Sequence, residues 1–136
     1  MPGDTVLFIC VENACRSLMA EAMFNSAPPP GWSAISAGTL PARSANPRTG
    51  PMLAELGLTI PSHPPMLLTR QMMEGAEVRI TMGCLDDASC PAHLKGLPLR
   101  DWNLPDPAKL DDEGFRRVRD TLKLEVSRLV AELMKG

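Results

Sequence analysis

Residues 5–17, TVLFICVENACRS, hold two structural signals in one short stretch. Residues 5–10 are an apolar run with several β-branched side chains, which is typical of a buried strand. The SLMAEAMFN that closes and follows the stretch contains good helix formers and no breaker, which predicts a helix over residues 17–25. A thiol, Cys10, therefore ends a predicted strand, and a guanidinium, Arg16, stands where the next helix begins.

The rest of the chain alternates predicted strands with predicted helices. Strands are predicted at residues 32–36, 77–82 and 97–101, and helices at residues 46–56, 70–75 and 111–134. The last helix has the clearest pattern, because apolar residues recur at helical spacing: Phe115, Val118, Leu122, Leu129 and Leu133. This alternation predicts an α/β fold in three layers, with a four-stranded parallel sheet flanked by helices. No repeat or linker is visible, so residues 1–136 are predicted to form a single domain.

Composition and charge exclude several classes of protein. Hydrophobic residues make up 44% of the chain, enough to fill a core. The net charge of −2 offers no broad basic field to nucleic acid. No apolar run is long enough to cross a bilayer and no signal peptide is visible, so we expect a cytoplasmic protein without a membrane partner. We also expect a monomer. Its four cysteines are then expected to be reduced, and to be catalytic, metal-binding or core residues.

The predicted position of Cys10 suits a nucleophile. Ligands of open α/β sheets bind beyond the carboxyl ends of the strands, and a helix N-terminus offers free N–H groups to an oxyanion. The same field favours the thiolate form of a cysteine. Arg16 adds a planar fork for two oxygens of an anion, and Ser17 can donate a hydrogen bond to the Cys10 sulfur. Taken alone, Cys10 is equally compatible with a buried packing role, but the set predicts a thiolate that faces a bound oxyanion.

The oxyanion loop of cysteine phosphatases has the pattern Cys-x5-Arg-Ser, which Cys10, Arg16 and Ser17 match. Here the loop follows the first strand, MAE comes next at residues 19–21, SAGT stands at residues 36–39, and Asp106 precedes a proline late in the chain. In this order the motifs resemble the low-molecular-weight tyrosine phosphatases nearly from end to end. The resemblance implies that Asp106 is the proton donor. It also implies that the anion is bound by the loop, at Val11, Glu12, Asn13, Ala14, Cys15 and Arg16.

A second pair of cysteines, Cys84 and Cys90, favours one branch of this superfamily. A hydrolytic phosphatase has no use for them, and phosphatases of the family tend to carry tyrosines beside the acid, whereas this chain has none. TMGC…CP followed by DWNLPDPA resembles the arsenate reductases of the same fold, especially the thioredoxin-coupled type. The resemblance implies that Cys10 attacks arsenate, that Cys84 attacks Cys10 and releases arsenite, and that Cys90 then attacks Cys84. Thioredoxin or a related thiol reductant would reopen the last disulfide, and no metal or cofactor is needed.

The cysteines also have other interpretations. Cys84 and Cys90 could be inert, or could bind zinc with His93, although their spacing is poor for a metal site. For Cys15 we prefer a packing role over a protective disulfide with Cys10.

Two alternative functions stay open. One is a tyrosine phosphatase that hydrolyses phosphomonoesters. The other is a non-enzymatic module that senses redox state or anions. Glu12 keeps this second alternative open, because a carboxylate in the loop repels an oxyanion unless it points to solvent.

Glu21 is a further candidate, through the resemblance. In some arsenate reductases a monovalent cation is bound where Asn13, Glu21 and Ser36 stand here, together with a later carboxylate. The corresponding stretch, SHPP, offers His63 and no acid. We therefore expect no potassium site, prefer Glu21 as a solvated helix residue, and assign His63 no role.

Overall fold

The computed structural model describes residues 3–82 and 98–135. Four strands form one sheet: β1 (Asp4–Cys10), β2 (Trp32–Gly38), β3 (Val78–Thr81) and β4 (Arg100–Asp101). The sheet order is β2-β1-β3-β4, and every pair of neighbours is parallel. The helices are α1 (Arg16–Ser26), α2 (Thr49–Ala54), α3 (Arg70–Gly75) and α4 (Asp112–Lys135), with a short 3-10 helix at Pro107–Lys109. The predicted α/β fold with a four-stranded parallel sheet is confirmed.

The central strand β1 separates the two apolar cores of a three-layer structure. Its alternate side chains Val6 and Phe8 pack with residues of α1, α2 and α4, while Leu7 and Ile9 face the opposite core, which contains Met73 of α3. Strand side chains alternate between the two faces of a sheet, and all of these residues are fully buried. A sheet covered on both faces leaves its carboxyl edge as the place where a ligand can approach.

Most predicted boundaries agree with the structure to within two residues, but β4 begins only at Arg100, and α2 is shorter than the predicted helix of residues 46–56. The side chain of Asn46 accepts a hydrogen bond from the amide of Arg48 at 2.9 Å. This turn competes with helical hydrogen bonding and delays the start of α2 to Thr49. After α2, Gly57 adopts a φ of +74°, as expected for a glycine that follows the end of a helix.

Helix α4 shows the predicted apolar stripe along one side. Five of its apolar residues are buried: Phe115, Val118, Leu122, Val126 and Leu129. In residues 3–82 and 98–135, no helix combines the length and apolar character needed to span a membrane.

Candidate active site

The loop from β1 to α1, residues 10–16, is called the anion loop below. Its carbonyl oxygens are bound from outside: those of Val11, Glu12 and Ala14 accept from the amides of Leu40, Ala42 and Asn46, at 2.8, 2.9 and 3.0 Å. The C=O and the following N–H of a trans peptide point in opposite directions, and no described peptide is cis. The next N–H groups therefore turn toward the centre of the loop, where an oxyanion can bind. The amide of Asn13 follows this rule and donates to Cys10 Sγ at 3.2 Å.

Cys10 is buried at the end of β1 and its sulfur has a second donor. Ser17 Oγ lies 2.9 Å from Cys10 Sγ. The Ser17 oxygen accepts a hydrogen bond from Asn13 Nδ2 at 2.7 Å, so its own hydrogen is available for the sulfur. One amide and one hydroxyl thus stabilise negative charge on Cys10 Sγ.

Asn13 holds the shape of the anion loop from behind. Its φ of +52° is in the left-handed region, which asparagine tolerates better than most residues. Nδ2 donates to Ser17 Oγ and to Ser36 Oγ, the latter at 3.0 Å, while Oδ1 accepts from the amide of Met66 at 2.9 Å. The side chain is fully buried. Asn13 is predicted to bind the anion, but its side chain supports the loop from behind and its backbone N–H donates to Cys10 Sγ.

Glu21 does not match the expectation of a solvated helix residue. It is only 7% exposed, and its Oε1 accepts from Ser36 Oγ at 2.7 Å. His63 Nε2 lies 2.9 and 3.0 Å from the two carboxylate oxygens. The expectation for Glu21 is wrong because the turn of the chain at residues 61–65 covers this part of α1. Since His63 occupies both oxygens of Glu21 and no second carboxylate joins them among the described contacts, these residues do not fit a potassium ion.

The surroundings of His63 favour its protonated form. Nδ1 lies 2.8 Å from the carbonyl oxygen of Pro64, and Nε2 faces the Glu21 carboxylate, so both ring nitrogens face acceptors. Partial burial alone would lower the pKa of His63. The hydrogen bonds to Pro64 and Glu21 and the negative charge of Glu21 outweigh burial and raise this pKa above its usual value.

A cavity of about 620 Å³ opens in front of the anion loop. From the loop it is lined by Cys10, Val11, Glu12, Ala14, Cys15 and Arg16, and from the other side by Asn103, Leu104, Pro105, Asp106 and Lys109. The structure thus brings the predicted nucleophile and the predicted proton donor to one cavity, although 95 residues separate them in the chain. Glu12 is exposed at the cavity mouth, so its carboxylate can point to solvent.

Arg16 begins α1 and is only 6% exposed. Its Nη1 donates to the carbonyl oxygens of Met82 and Leu104, at 3.1 and 2.8 Å. These contacts fix the guanidinium between the end of β3 and the segment that carries Asp106. A fixed, planar cation at the cavity wall is suited to bind oxygens of an anion.

Cys15 also lines the cavity, but its chemistry differs from that of Cys10. Burial, followed by the nearby Asp106 and Cys10, raises the pKa of the Cys15 thiol to about 12. The group therefore stays a protonated thiol at neutral pH, and both described cysteines are free. These properties agree with the packing role preferred for Cys15.

Three residues named from the sequence, Cys84, Cys90 and His93, lie outside the described residues. The sequence reasoning missed Lys109 at the cavity wall and the partnership of Glu21 with His63. Lys109 could have been noticed three residues after Asp106. The contact of Glu21 with His63 joins residues 42 positions apart, and no local sequence pattern predicts it.

Comparison with known proteins identifies a family and named relatives. The sequence matches the low molecular weight phosphotyrosine protein phosphatase family over residues 5–136. It is 32% identical to arsenate reductase 1 of Staphylococcus epidermidis, over 93% of this chain and 95% of the relative. The thioredoxin-dependent arsenate reductase of Corynebacterium glutamicum is 32% identical with a TM-score of 0.76, over 94% of this chain and 60% of that chain.

A phosphatase of the same fold is similarly close in structure. The arginine phosphatase YwlE of Geobacillus stearothermophilus has a TM-score of 0.82 at 25% identity, over 97% of this chain and 94% of that chain. The anion loop, the cavity shared with Asp106 and the match along nearly the whole sequence lead to one conclusion: this chain belongs to the low molecular weight phosphotyrosine protein phosphatase family.

Proposed function

We propose that this protein is an arsenate reductase that converts arsenate to arsenite with electrons from a thiol reductant. The observation that carries the proposal is Cys10 Sγ in one cavity with Arg16 and Asp106, with the Asn13 amide and the Ser17 hydroxyl at the sulfur. Similarity to arsenate reductases and the later cysteines Cys84 and Cys90 favour reduction over hydrolysis.

The first step is formation of a covalent adduct. Arsenate binds to the N–H groups of the anion loop and to Arg16, and the Cys10 thiolate attacks arsenic. A sulfur–arsenic bond forms, the bond from arsenic to one of its hydroxyl groups breaks, and that hydroxyl leaves as water after taking a proton from Asp106. Arsenic is still in its +5 state after this step. Ser17 and the Asn13 amide stabilise the sulfur before the attack and whenever Cys10 is later released.

The second stage transfers two electrons through thiol–disulfide exchange. Cys84 attacks the Cys10 sulfur, the sulfur–arsenic bond breaks, and its electron pair stays on arsenic, which departs as arsenite. Cys90 then attacks Cys84, forms a Cys84–Cys90 disulfide and releases Cys10 as a thiolate. Thioredoxin or another thiol donor reduces this disulfide. Met82, whose carbonyl binds Arg16, precedes Cys84 by two residues in the chain.

Mass spectrometry after a single turnover tests this proposal. Protein incubated with arsenate but no reductant is expected to release one equivalent of arsenite and to carry a Cys84–Cys90 disulfide. The Cys10→Ser variant should release none, and the Cys84→Ser variant should stop at the adduct. Sulfate is the matched control, since it resembles arsenate in shape but does not accept electrons from thiols under these conditions. Multiple turnovers by the Cys84→Ser variant would contradict the relay.

A phosphatase is the second candidate, and its specific support is the structural likeness to an arginine phosphatase. In that case Cys10 would attack phosphorus, Asp106 would protonate the leaving group, and water would hydrolyse the intermediate. Hydrolysis would then be brisk and insensitive to Cys84→Ser. Loss of arsenite release in that variant, with only slow hydrolysis by the wild type, would decide for the reductase.

A further inference from the structure

Arg48 lies outside the cavity, yet it belongs to a segment that contacts both sides of the site. On one side this segment is bound to the anion loop. The amide of Asn46 and the hydroxyl of Thr49 both donate to the carbonyl oxygen of Ala14, at 3.0 and 2.7 Å. Thr49 is fully buried, so the start of α2 is attached firmly to the loop around Cys10.

On the other side the Arg48 side chain binds the segment that follows Asp106. Nη1 donates to the carbonyl oxygen of Leu110 at 2.8 Å, and Nη2 donates to those of Pro107 and Ala108 at 3.1 and 3.3 Å. One guanidinium thus satisfies three backbone carbonyls within four residues. These residues, 107–110, are called the acid segment below.

Two further contacts fix the orientation of this guanidinium. Its central carbon lies 4.8 Å from the centre of the Phe115 ring, in cation–π geometry. Nη1 also lies 3.2 Å from Asp112 Oδ1 at the start of α4. The Arg48 side chain is only 29% exposed, so these protein contacts hold it in one position.

The local hydrogen bonds of the acid segment fix its shape but not its distance from Cys10. Asp106 Oδ1 accepts from the amide of Ala108 at 3.0 Å, and the amide of Leu110 donates to Pro107 at 3.0 Å. Both bonds move with the segment. Two arginines link it to the nucleophile side: Arg16 binds Leu104 before Asp106, and Arg48 binds the residues after it. Before Asp106 the amide of Leu104 also donates to Met82, so Arg48 is the link that holds the residues after Asp106.

We propose that Arg48 is a positioning residue that keeps the Asp106 carboxyl within proton-transfer range of the oxygen leaving the Cys10 adduct. This inference rests on the proposed function, since it takes Asp106 as the acid. General acids of this kind contribute about 10²- to 10⁴-fold, and a displacement of about 1 Å can cost about 10²-fold. The anion loop keeps its own contacts without the guanidinium, so oxyanion affinity should be preserved.

Substitution of Arg48 should therefore separate turnover from binding. The Arg48→Gln variant is expected to lose about 10- to 100-fold in the single-turnover rate of arsenite release, with phosphate inhibition changed less than about twofold. The single-turnover rate of Arg48→Lys should lie between those of the wild type and Arg48→Gln, because an ammonium keeps the charge but cannot bind three carbonyls with a planar fork. The control is Arg116→Gln on α4, whose guanidinium binds Glu55 and not the acid segment. That variant should keep its rate.

A double-mutant cycle with Asp106→Asn distinguishes positioning from a general structural effect. If Arg48 acts through Asp106, adding Arg48→Gln to Asp106→Asn should slow the reaction no further. If the two losses multiply, or if Arg48→Gln leaves the rate unchanged, the proposal is wrong.

Two measurements keep this test separate from the proposed function. The same cycle on p-nitrophenyl phosphate hydrolysis uses Asp106 without any arsenic chemistry. Hydrogen exchange at the amides of Ala108, Lys109 and Leu110 should be faster in Arg48→Gln whatever the substrate. If the wild type hydrolyses the ester but reduces no arsenate, the reductase proposal is wrong. The double-mutant cycle on ester hydrolysis then still tests the role of Arg48. A wild type inactive on both substrates, or unchanged exchange at these amides, would overturn the Arg48 proposal.

Discussion

Cys10 is connected to the protein surface by a continuous series of hydrogen bonds. His63 binds Glu21, Glu21 binds Ser36, and Ser36 and Ser17 share the side-chain amide of Asn13. Asn13 Nδ2 has two hydrogens, one for each serine, so the hydroxyl hydrogen of Ser36 is free for Glu21 and that of Ser17 is available to the sulfur. A series in which every member has a partner favours one arrangement of the anion loop.

The pair of His63 and Glu21 predicts a pH-dependent contribution to stability. Because the folded-state pKa of His63 is raised, folding takes up a proton. The contribution is fully present below the unfolded pKa of about 6.5 and is lost as pH rises through the higher folded pKa. Urea denaturation of wild type and His63→Gln between pH 5 and 9 should show the wild type more stable at low pH, by up to about 1 kcal/mol for a partly exposed pair. The difference should shrink at high pH.

The contributions of the other titrating groups cancel in the difference between the two proteins, since these groups are common to both. The Glu21→Gln variant offers a second comparison. In that background, the stability difference between His63 and His63→Gln should no longer depend on pH. A wild-type advantage that grows as pH rises would show that His63 is neutral in the folded protein.

At the scale of elements, the end of β2 determines how closely the sheet approaches the anion loop. Gly38 pairs with Cys10 across the β1–β2 register. A Cβ at Gly38 would lie 2.5 Å from the carbonyl oxygen of Val11 and 2.9 Å from the amide nitrogen of Asn13. Gly38 cannot retreat, because its amide and carbonyl are bound to Met66 and Leu68, each at 2.8 Å. The glycine is required by close backbone approach.

Gly38→Ala should therefore displace the anion loop and weaken oxyanion binding. Overpacking of this kind costs about 1–3 kcal/mol, which corresponds to a sulfate Kd at least about fivefold higher. Isothermal titration with sulfate measures the change. Gly50→Ala in α2 is the matched control, because a Cβ there meets nothing within 4 Å and alanine favours a helix. Wild-type sulfate affinity in Gly38→Ala would contradict this role of Gly38.

Elements with local signals could be predicted from the sequence, and contacts between distant elements could not. Strand β1 and helix α4 follow from apolar patterns that lie within each segment. The loop spacing of Cys10 and Arg16 is local as well. By contrast, the burial of Glu21 depends on a turn 42 residues away, and the contact of Arg48 with Pro107 spans 59 residues. Such pairings arise from packing of the whole chain, which periodicity does not encode.

At the scale of the whole molecule, the site is assembled from segments that unfolding would separate. The anion loop, the end of β3 and the segment before α4 meet at Arg16, whose Nη1 binds Met82 and Leu104. The inward N–H groups exist as a set only while these segments are together. An oxyanion therefore binds the folded protein and not the unfolded chain, so that binding and global stability must be linked.

This linkage predicts that sulfate raises the free energy of unfolding by about 2.7 kcal/mol at a hundredfold excess over its Kd. Sulfate also stabilises proteins generally, by exclusion from their surface, so the wild-type shift alone is not diagnostic.

Arg16→Lys should lose the specific part and keep the general part, because an ammonium lacks the planar fork. Arg128→Lys is the matched control, since Arg128 is exposed on α4 and pairs with Glu125. Thermal unfolding of the three proteins over a sulfate titration should give a saturable rise in Tm for wild type and Arg128→Lys, and a shallow, unsaturated rise for Arg16→Lys. An identical saturable rise in Arg16→Lys would place the bound anion somewhere other than the anion loop.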